Sequence, residues 1–116
     1  MIQGGGFTKE MQDKPARKPI KNEADNGLKN LSGTIAMART MDPHSATAQF
    51  FISTVDNAFL DFKSQTSQGW GYCVFGKVTK GLDVVAAIEA EATTTKAGHQ
   101  DVPVQAIVIE KVVVLP

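Results

Sequence analysis

Residues 45–52 carry the side chains best suited to chemistry in this chain of 116 residues. They join a loop of small residues to a strand that bears an amide, Gln49, and two aromatic rings, Phe50 and Phe51. Alternate residues of a strand point to opposite faces, so Gln49 and Phe51 share one face. Such a strand can line a pocket. We predict that Phe50 and Ile52, on the other face, belong to the core.

Other reactive side chains give weaker indications. His44 and Ser45 are adjacent, and neighbours in an extended chain point to opposite faces, so they do not predict a hydrolase. Two histidines and the single cysteine, Cys73, have no metal-ligand spacing, and no metal is predicted. The triple glycine at residues 4–6 lacks the lysine and hydroxyl of a phosphate-binding loop and is interpreted as a turn. No cofactor is implied.

Composition limits the class of partner. Twelve basic and twelve acidic side chains cancel, so no net charge attracts nucleic acid, an anionic membrane or an acidic substrate. The apolar neighbours of Cys73 favour a buried, unreactive thiol, and a lone cysteine forms no disulfide within the chain. No signal sequence or bilayer-spanning stretch is found, which favours a cytoplasmic location.

The elements that must position these residues are short. We predict strands at residues 34–38, 49–54 and 72–78, and one helix at residues 82–90. A long run of β-branched residues at 104–115 is predicted to close the chain as a strand.

Polar segments connect these elements. Residues 8–19 and 93–103 are predicted to be loops, and Trp70, between two glycines, is expected to pack over a rim. The length predicts one domain, residues 1–116, and the short strands favour a β-barrel or sandwich.

Four separated motifs resemble those of one family in order and spacing. They are Met1-Ile2-Gln3-Gly4-Gly5-Gly6-Phe7, Gly33-Thr34-Ile35-Ala36-Met37-Ala38-Arg39, residues 45–52, and Gly71-Tyr72-Cys73-Val74-Phe75-Gly76-Lys77-Val78. Through them the chain resembles the cyclophilin family of peptidyl-prolyl cis-trans isomerases, most closely its bacterial single-domain members. The resemblance implies a mainly β fold, an antiparallel barrel with one helix, of which residues 1–116 match about the C-terminal two-thirds. The family's first strands and first helix have no counterpart here.

The same resemblance implies the site. A slot for the proline ring is expected from Phe51, Met1, Leu60 and Phe59, and Tyr72 is expected beside it. The amides Gln3 and Gln49 would hold the carbonyl or amide groups of a client protein's proline-containing segment. Ala38, Arg39 and Thr40 would pair with that segment through their backbones, as in strand addition. The implied catalytic set is Gln3, Gln49 and Phe51.

The chain departs from the family pattern in two ways, one that concerns inhibitor binding and one that concerns catalysis. Phe59 stands where many members have tryptophan and Tyr72 where many have histidine, which predicts weak cyclosporin binding at most. The family's catalytic arginine lies in a Phe-His-Arg segment that residues 1–116 do not contain. The predicted function is peptidyl-prolyl isomerisation, and the alternatives are a non-catalytic proline-peptide binding module or a truncated, weakly active fragment. An incomplete barrel also predicts exposed sheet edges and self-association.

Overall fold

The computed structural model describes residues 1–116 as a mainly β structure with one α-helix. Its elements are β1 (Ile2–Gly4), β2 (Thr34–Met37), β3 (Phe50–Ile52), β4 (Val74–Lys77), α1 (Leu82–Glu89), β5 (Thr93–Lys96) and β6 (His99–Pro103). Two single-turn 3-10 helices lie at Ala24–Asn26 and Ala58–Leu60. The three predicted inner strands and the helix are confirmed, with the strands shorter than expected.

Four strands form one open antiparallel sheet in the order β1-β3-β2-β4. Strands β1 and β4 are its two edges, so the sheet does not close on itself as a barrel. Residues directly opposite each other on paired strands project to the same face. The register therefore defines two faces of the sheet, the site face and the open face.

The site face carries Gln3, Phe51, Ala36 and Val74, which lie opposite one another across the four strands. The open face carries Phe50, Ile52, Met37 and, on β4, Gly76 opposite Ile35. Phe75 lies at a bulge of β4, lines a cleft with Met37 and is grouped with this face. Ala36, Phe51 and Val74 are buried and form the core cluster of the sheet. The prediction that Phe50 and Ile52 are core residues is wrong, because both are only half-buried.

Helix α1 begins after Gly81, whose positive φ of 96° turns the chain from β4 into the helix. Val85 is its buried residue, and the helix lies against β1. No helix in the structure is long and apolar enough to cross a membrane.

The polar segment at residues 93–103 is not a loop, as predicted, but a two-stranded hairpin made by β5 and β6. Its turn residues Ala97 and Gly98 have φ values of 52° and 79°. Two consecutive positive φ angles fit a type I′ turn, whose twist suits a two-residue hairpin connection. Alanine rarely adopts that conformation, so the turn gave no recognisable signal in the sequence.

Residues 104–116 form no strand, contrary to the prediction. The backbone N–H of Val104 donates to the carbonyl of Ala92, and no backbone hydrogen bond follows it. Val112 and Leu115 are 82% and 81% exposed. A β-branched run forms a strand only where a partner strand offers backbone hydrogen bonds, and none pairs with this run, although Ile109 lies close to Gly4 of β1.

Two isolated bridges lie within or next to the predicted loop at residues 8–19, which is almost wholly exposed. Phe7 pairs with Asp13, and Ile20 pairs with Ala46. The second bridge ties the end of the loop to the segment that leads into β3. The loop prediction is confirmed.

Candidate active site

Phe51 is the centre of the candidate site, and it lies deeper than a pocket residue would. It is 3% exposed and packs with Ala36 and Val74, while Ala38, Leu60 and Tyr72 cover the cluster. The ring of Tyr72 stands edge-on to that of Phe51, with 5.8 Å between the centroids. Edge-to-face contact is a favourable arrangement for two aromatic rings. The slot expected at Phe51 is therefore shallow.

The two amides of the predicted site meet. Gln3 Nε2 donates a hydrogen bond of 2.9 Å to Gln49 Oε1. Gln49 reaches this position across Gly6, where an added Cβ would stand 2.5 Å from the amide carbon of Gln49. Gly5 has a φ of 94° and no room for a side chain beside the Ala48 carbonyl. The triple glycine thus makes space for Gln49, and its interpretation as a structural turn holds.

Tyr72 is also contacted by Arg39. The guanidinium carbon of Arg39 lies 4.3 Å from the centre of the Tyr72 ring. Arg39 Nε and Nη2 donate to the carbonyl of Gly71 at 3.1 and 2.9 Å, and Nη1 donates to the carbonyl of Thr40 at 2.9 Å. Such a cation–π contact is worth about 1 kcal/mol where the pair is partly desolvated. Sequence reasoning gave Arg39 only a backbone role.

Asn30 supports the wall formed by Leu60 and Tyr72, and sequence reasoning missed it. Its side chain is 1% exposed, and Nδ2 donates to the carbonyls of Leu60 and Tyr72 at 3.1 and 3.2 Å. Asp61 Oδ1 accepts from both the backbone and the side chain of Asn30. The Oδ1 atom of Asn30 is buried without a partner. A lone asparagine in a polar stretch carries no sequence signal for such a position.

The backbone at residues 38–40 is partly free to pair with a peptide. The N–H of Ala38 donates to the Gln49 carbonyl at 2.9 Å, and that of Thr40 donates to Ser45 Oγ at 3.0 Å. The N–H of Arg39 has no partner in the chain, and the carbonyls of Ala38 and Arg39 accept no hydrogen bond. One donor and two acceptors are therefore available to an incoming strand.

Two predicted slot residues lie outside this cluster. Phe59 belongs to the 3-10 helix Ala58–Leu60 and is 71% exposed. Met1 is also exposed, and its amino group donates to Glu89 Oε2 and to Thr54 Oγ1. This contact lowers the pKa of Glu89, because the amino group and Thr54 both donate to its carboxylate. Both residues stay predictions as members of the proline slot.

The remaining reactive groups are held by structural contacts. His44 Nδ1 accepts from the N–H of Asn22, and the His44 ring stands edge-on to Trp70. Trp70 is buried rather than lying over a rim. Ser45 Oγ donates to the Asp42 carbonyl and is not paired with His44, which agrees with the rejection of a hydrolase. Burial raises the pKa of Cys73, and the charges of nearby acids raise it further, so its thiol is a poor nucleophile.

Two surface clefts lie away from Phe51. One of about 210 Å³ is lined by α1 and residues 105–107, and one of about 250 Å³ is lined in part by Met37, Phe75 and Cys73. Neither combines an apolar ring with the paired amides. The chemistry available for binding a peptide is concentrated at Phe51, Tyr72 and the two glutamines, so we place the site there.

Comparison with known proteins identifies a family model that matches residues 1–114, described as cyclophilin type peptidyl-prolyl cis-trans isomerase. The chain is 64% identical over 115 residues to peptidyl-prolyl cis-trans isomerase cyp18 of Streptomyces antibioticus, covering 99% of this chain and 69% of that protein. It is 60% identical over 114 residues to peptidyl-prolyl cis-trans isomerase B of Escherichia coli, covering 98% and 70%. Peptidyl-prolyl cis-trans isomerase A of Dickeya dadantii is 52% identical over 110 residues, covering 95% and 56%.

Proposed function

The chain belongs to the cyclophilin-type peptidyl-prolyl cis-trans isomerase family, and from this premise we propose how its residues meet a substrate. Its function is the cis-trans isomerisation of peptide bonds that precede proline. The observation that carries the site assignment is the cluster of Phe51, Tyr72 and Leu60 beside the Gln3–Gln49 amide pair. The proline ring contacts the aromatic cluster, and the amides hold the flanking backbone.

The reaction sets a modest demand on the protein. Rotation about a peptide bond meets a barrier of about 18–20 kcal/mol, and the two isomers of an X–Pro bond differ by only about 0.5–1 kcal/mol. Shortening a relaxation of about 100 s to about 10 ms requires roughly 5–6 kcal/mol of transition-state stabilisation. No bond is broken. Groups that bind the twisted amide better than the planar one are sufficient.

The residues of this chain account for peptide binding more clearly than for a preference for the twisted amide over the planar one. The apolar slot, the amides and the free backbone groups at residues 38–40 contact planar and twisted peptides alike. Arg39 does not provide a free cation, because its guanidinium already donates to the carbonyls of Gly71 and Thr40. Residues 1–116 contain no Phe-His-Arg segment, which carries the catalytic arginine by resemblance. We therefore expect weak isomerase activity from these residues by themselves.

The proposal also includes a closed barrel. Phe75 on the open face is 54% exposed, and the β-branched run at 104–115 has no strand partner. Both features support a closed family barrel completed by strands that are not among residues 1–116, from this polypeptide or from another chain. The lone cysteine, which forms no internal disulfide, is compatible with the predicted cytoplasmic location.

The partners follow from the same site. Proline-containing segments of client proteins are the proposed ligands. Weak cyclosporin binding remains a prediction, supported by the phenylalanine at position 59, which offers no N–H group.

A protease-free assay of prolyl isomerisation tests the proposal on two polypeptides. One is residues 1–116, and the other carries in addition the family's preceding segment with Phe-His-Arg. Loss of one preorganised donor costs about 10²–10³ in rate, so the shorter polypeptide should be slower by about that factor. The longer polypeptide with alanine in place of the segment's arginine is the matched control and should be equally slow. Equal, high activity in all three would contradict the arginine argument.

A further inference from the structure

We propose that the side chain of Arg39 is a positioning residue that fixes Tyr72 as a wall of the proline slot. The inference rests on the proposed function, because it assigns Tyr72 to the surface that receives the proline ring. It adds to the backbone role of residues 38–40 a separate role for one side chain. Arg39 acts through Tyr72 and contacts no reacting atom.

The first support is the geometry of the guanidinium. Its three hydrogen bonds go to two backbone carbonyls, those of Gly71 and Thr40. A planar group tied at Nε, Nη1 and Nη2 has little freedom to rotate. Since the guanidinium lies 4.3 Å from the ring centre, the same bonds hold it over the face of Tyr72.

The second support is the charge. The ion pair of Met1 with Glu89 is the one salt bridge in the structure, so Arg39 forms no ion pair, although Glu23 lines the same cleft. Its positive charge faces the π electrons of Tyr72 and two carbonyl dipoles. A cation–π contact is stronger where no counter-ion competes with the ring for the cation. The arrangement favours Tyr72 specifically over an aliphatic residue at this position.

The third support is the position of Tyr72 between two fixed neighbours. The Phe51 ring contacts it at an interplanar angle of 75°, and the Arg39 guanidinium lies over its ring. The backbone of Tyr72 is fixed too, through a hydrogen bond of 2.8 Å from its N–H to the Leu60 carbonyl. A wall that is ordered before the peptide arrives loses less entropy on binding than a mobile one. Releasing the ring should therefore weaken binding and leave the chemical step alone.

The chain offers a direct test because Tyr72 is its only tyrosine and Trp70 its only tryptophan. Ring resonances from selectively labelled tyrosine report Tyr72 alone, and the indole resonance reports the neighbouring fold. The variants are Arg39→Ala and Arg39→Lys. Arg17→Ala is the matched control, since Arg17 is the only other arginine and lies in the exposed loop. The probe is a short peptide with one Ala–Pro bond, titrated into each protein.

We expect Arg39→Ala to shift the Tyr72 ring resonances and to weaken peptide binding about fivefold, which corresponds to one partly desolvated cation–π contact. Arg39→Lys should recover part of the affinity, because lysine retains the cation but not the fork. The Trp70 resonance and the thermal midpoint should change little in Arg39→Lys. Arg17→Ala should match the parent in every measurement. Where turnover is measurable, KM should rise and kcat stay constant.

Two results would overturn the inference. Unchanged Tyr72 resonances in Arg39→Ala would show that the guanidinium does not hold the ring. Parent-like affinity in both Arg39 variants would show that the held ring does not serve the peptide. Should Arg39→Ala unfold, Arg39→Lys decides the question by the same readouts. A parent protein that binds no proline peptide would instead overturn the proposed function, and the inference with it.

Discussion

The site face and the open face belong to the same four strands, yet they differ in how completely the chain covers them. On the site face, Phe51 is buried beneath Leu60 and Tyr72. On the open face, Phe50 is half-buried and Phe75 is mostly exposed. A sheet is stable when each apolar face packs against another layer. The difference shows that the apolar wall of the site is covered by segments between residues 30 and 74, while the amide pair also needs Gln3 of β1.

The largest expected effect on stability is that of Gly71→Ala, a substitution next to the site. Gly71 has a φ of 68°, and an added Cβ would lie 2.6 Å from the Leu60 carbonyl oxygen. Backbone strain combined with a backbone clash should lower the free energy of unfolding by about 3 kcal/mol or more. Gly76→Ala is the control on the open face, since an added Cβ there meets nothing within 4 Å. Denaturant unfolding measures both, and equal losses would contradict the comparison.

The next effect distinguishes the faces through two adjacent phenylalanines. Phe51→Ala should cost about 3–4 kcal/mol of stability because it leaves a cavity in the core, and Phe50→Ala should cost about 1–2 kcal/mol. Peptide affinity should fall for Phe51→Leu, a milder change that retains the fold, and stay unchanged for Phe50→Leu. Thermal melts and peptide titrations provide the numbers. A larger stability loss at Phe50 would mean that the open face is covered.

The smallest effect concerns association through the open face. Exposed apolar surface and free strand edges predict that residues 1–116 associate at micromolar concentrations or above. A charge on the edge strand, Phe75→Lys, should weaken association several-fold, roughly 1 kcal/mol. Phe59→Lys is the control, because Phe59 is at least as exposed but lies outside the open face. Light scattering over a concentration series measures association, and a monomeric parent would refute the prediction.

Local sequence patterns were sufficient for the inner strands, for the helix and for part of the site. Period-two alternation correctly separated Phe51 from Phe50 and Ile52, but it did not indicate which face is buried. That depends on the segments around Leu60 and Tyr72, which are distant in sequence from β3. The helix Leu82–Glu89 was predicted because its spacing is local. The run at 104–115 was predicted wrongly because a strand needs a partner, and a propensity cannot supply one.

The supporting residues of the site were beyond sequence reasoning for the same physical reason. Asn30 bonds to carbonyls about thirty and forty positions away, those of Leu60 and Tyr72. Arg39 donates to the carbonyl of Gly71. Gly71 has no room for a side chain because the backbone of residues 60–62 lies against it. Each role is defined by a contact between distant segments. A single sequence without an alignment contains no record of such pairs.

The carbonyl of Gly71 is a hydrogen-bond acceptor shared by two segments of the chain. It accepts hydrogen bonds from Asn22 Nδ2 and from two nitrogens of Arg39. Donors that share one acceptor polarise and orient it together, so their contributions are not independent. The free-energy effects of substitutions at Asn22 and Arg39 should therefore not add, although the two residues are seventeen positions apart. Sequence change in the loop before β2 is thereby coupled to the geometry of the proline slot.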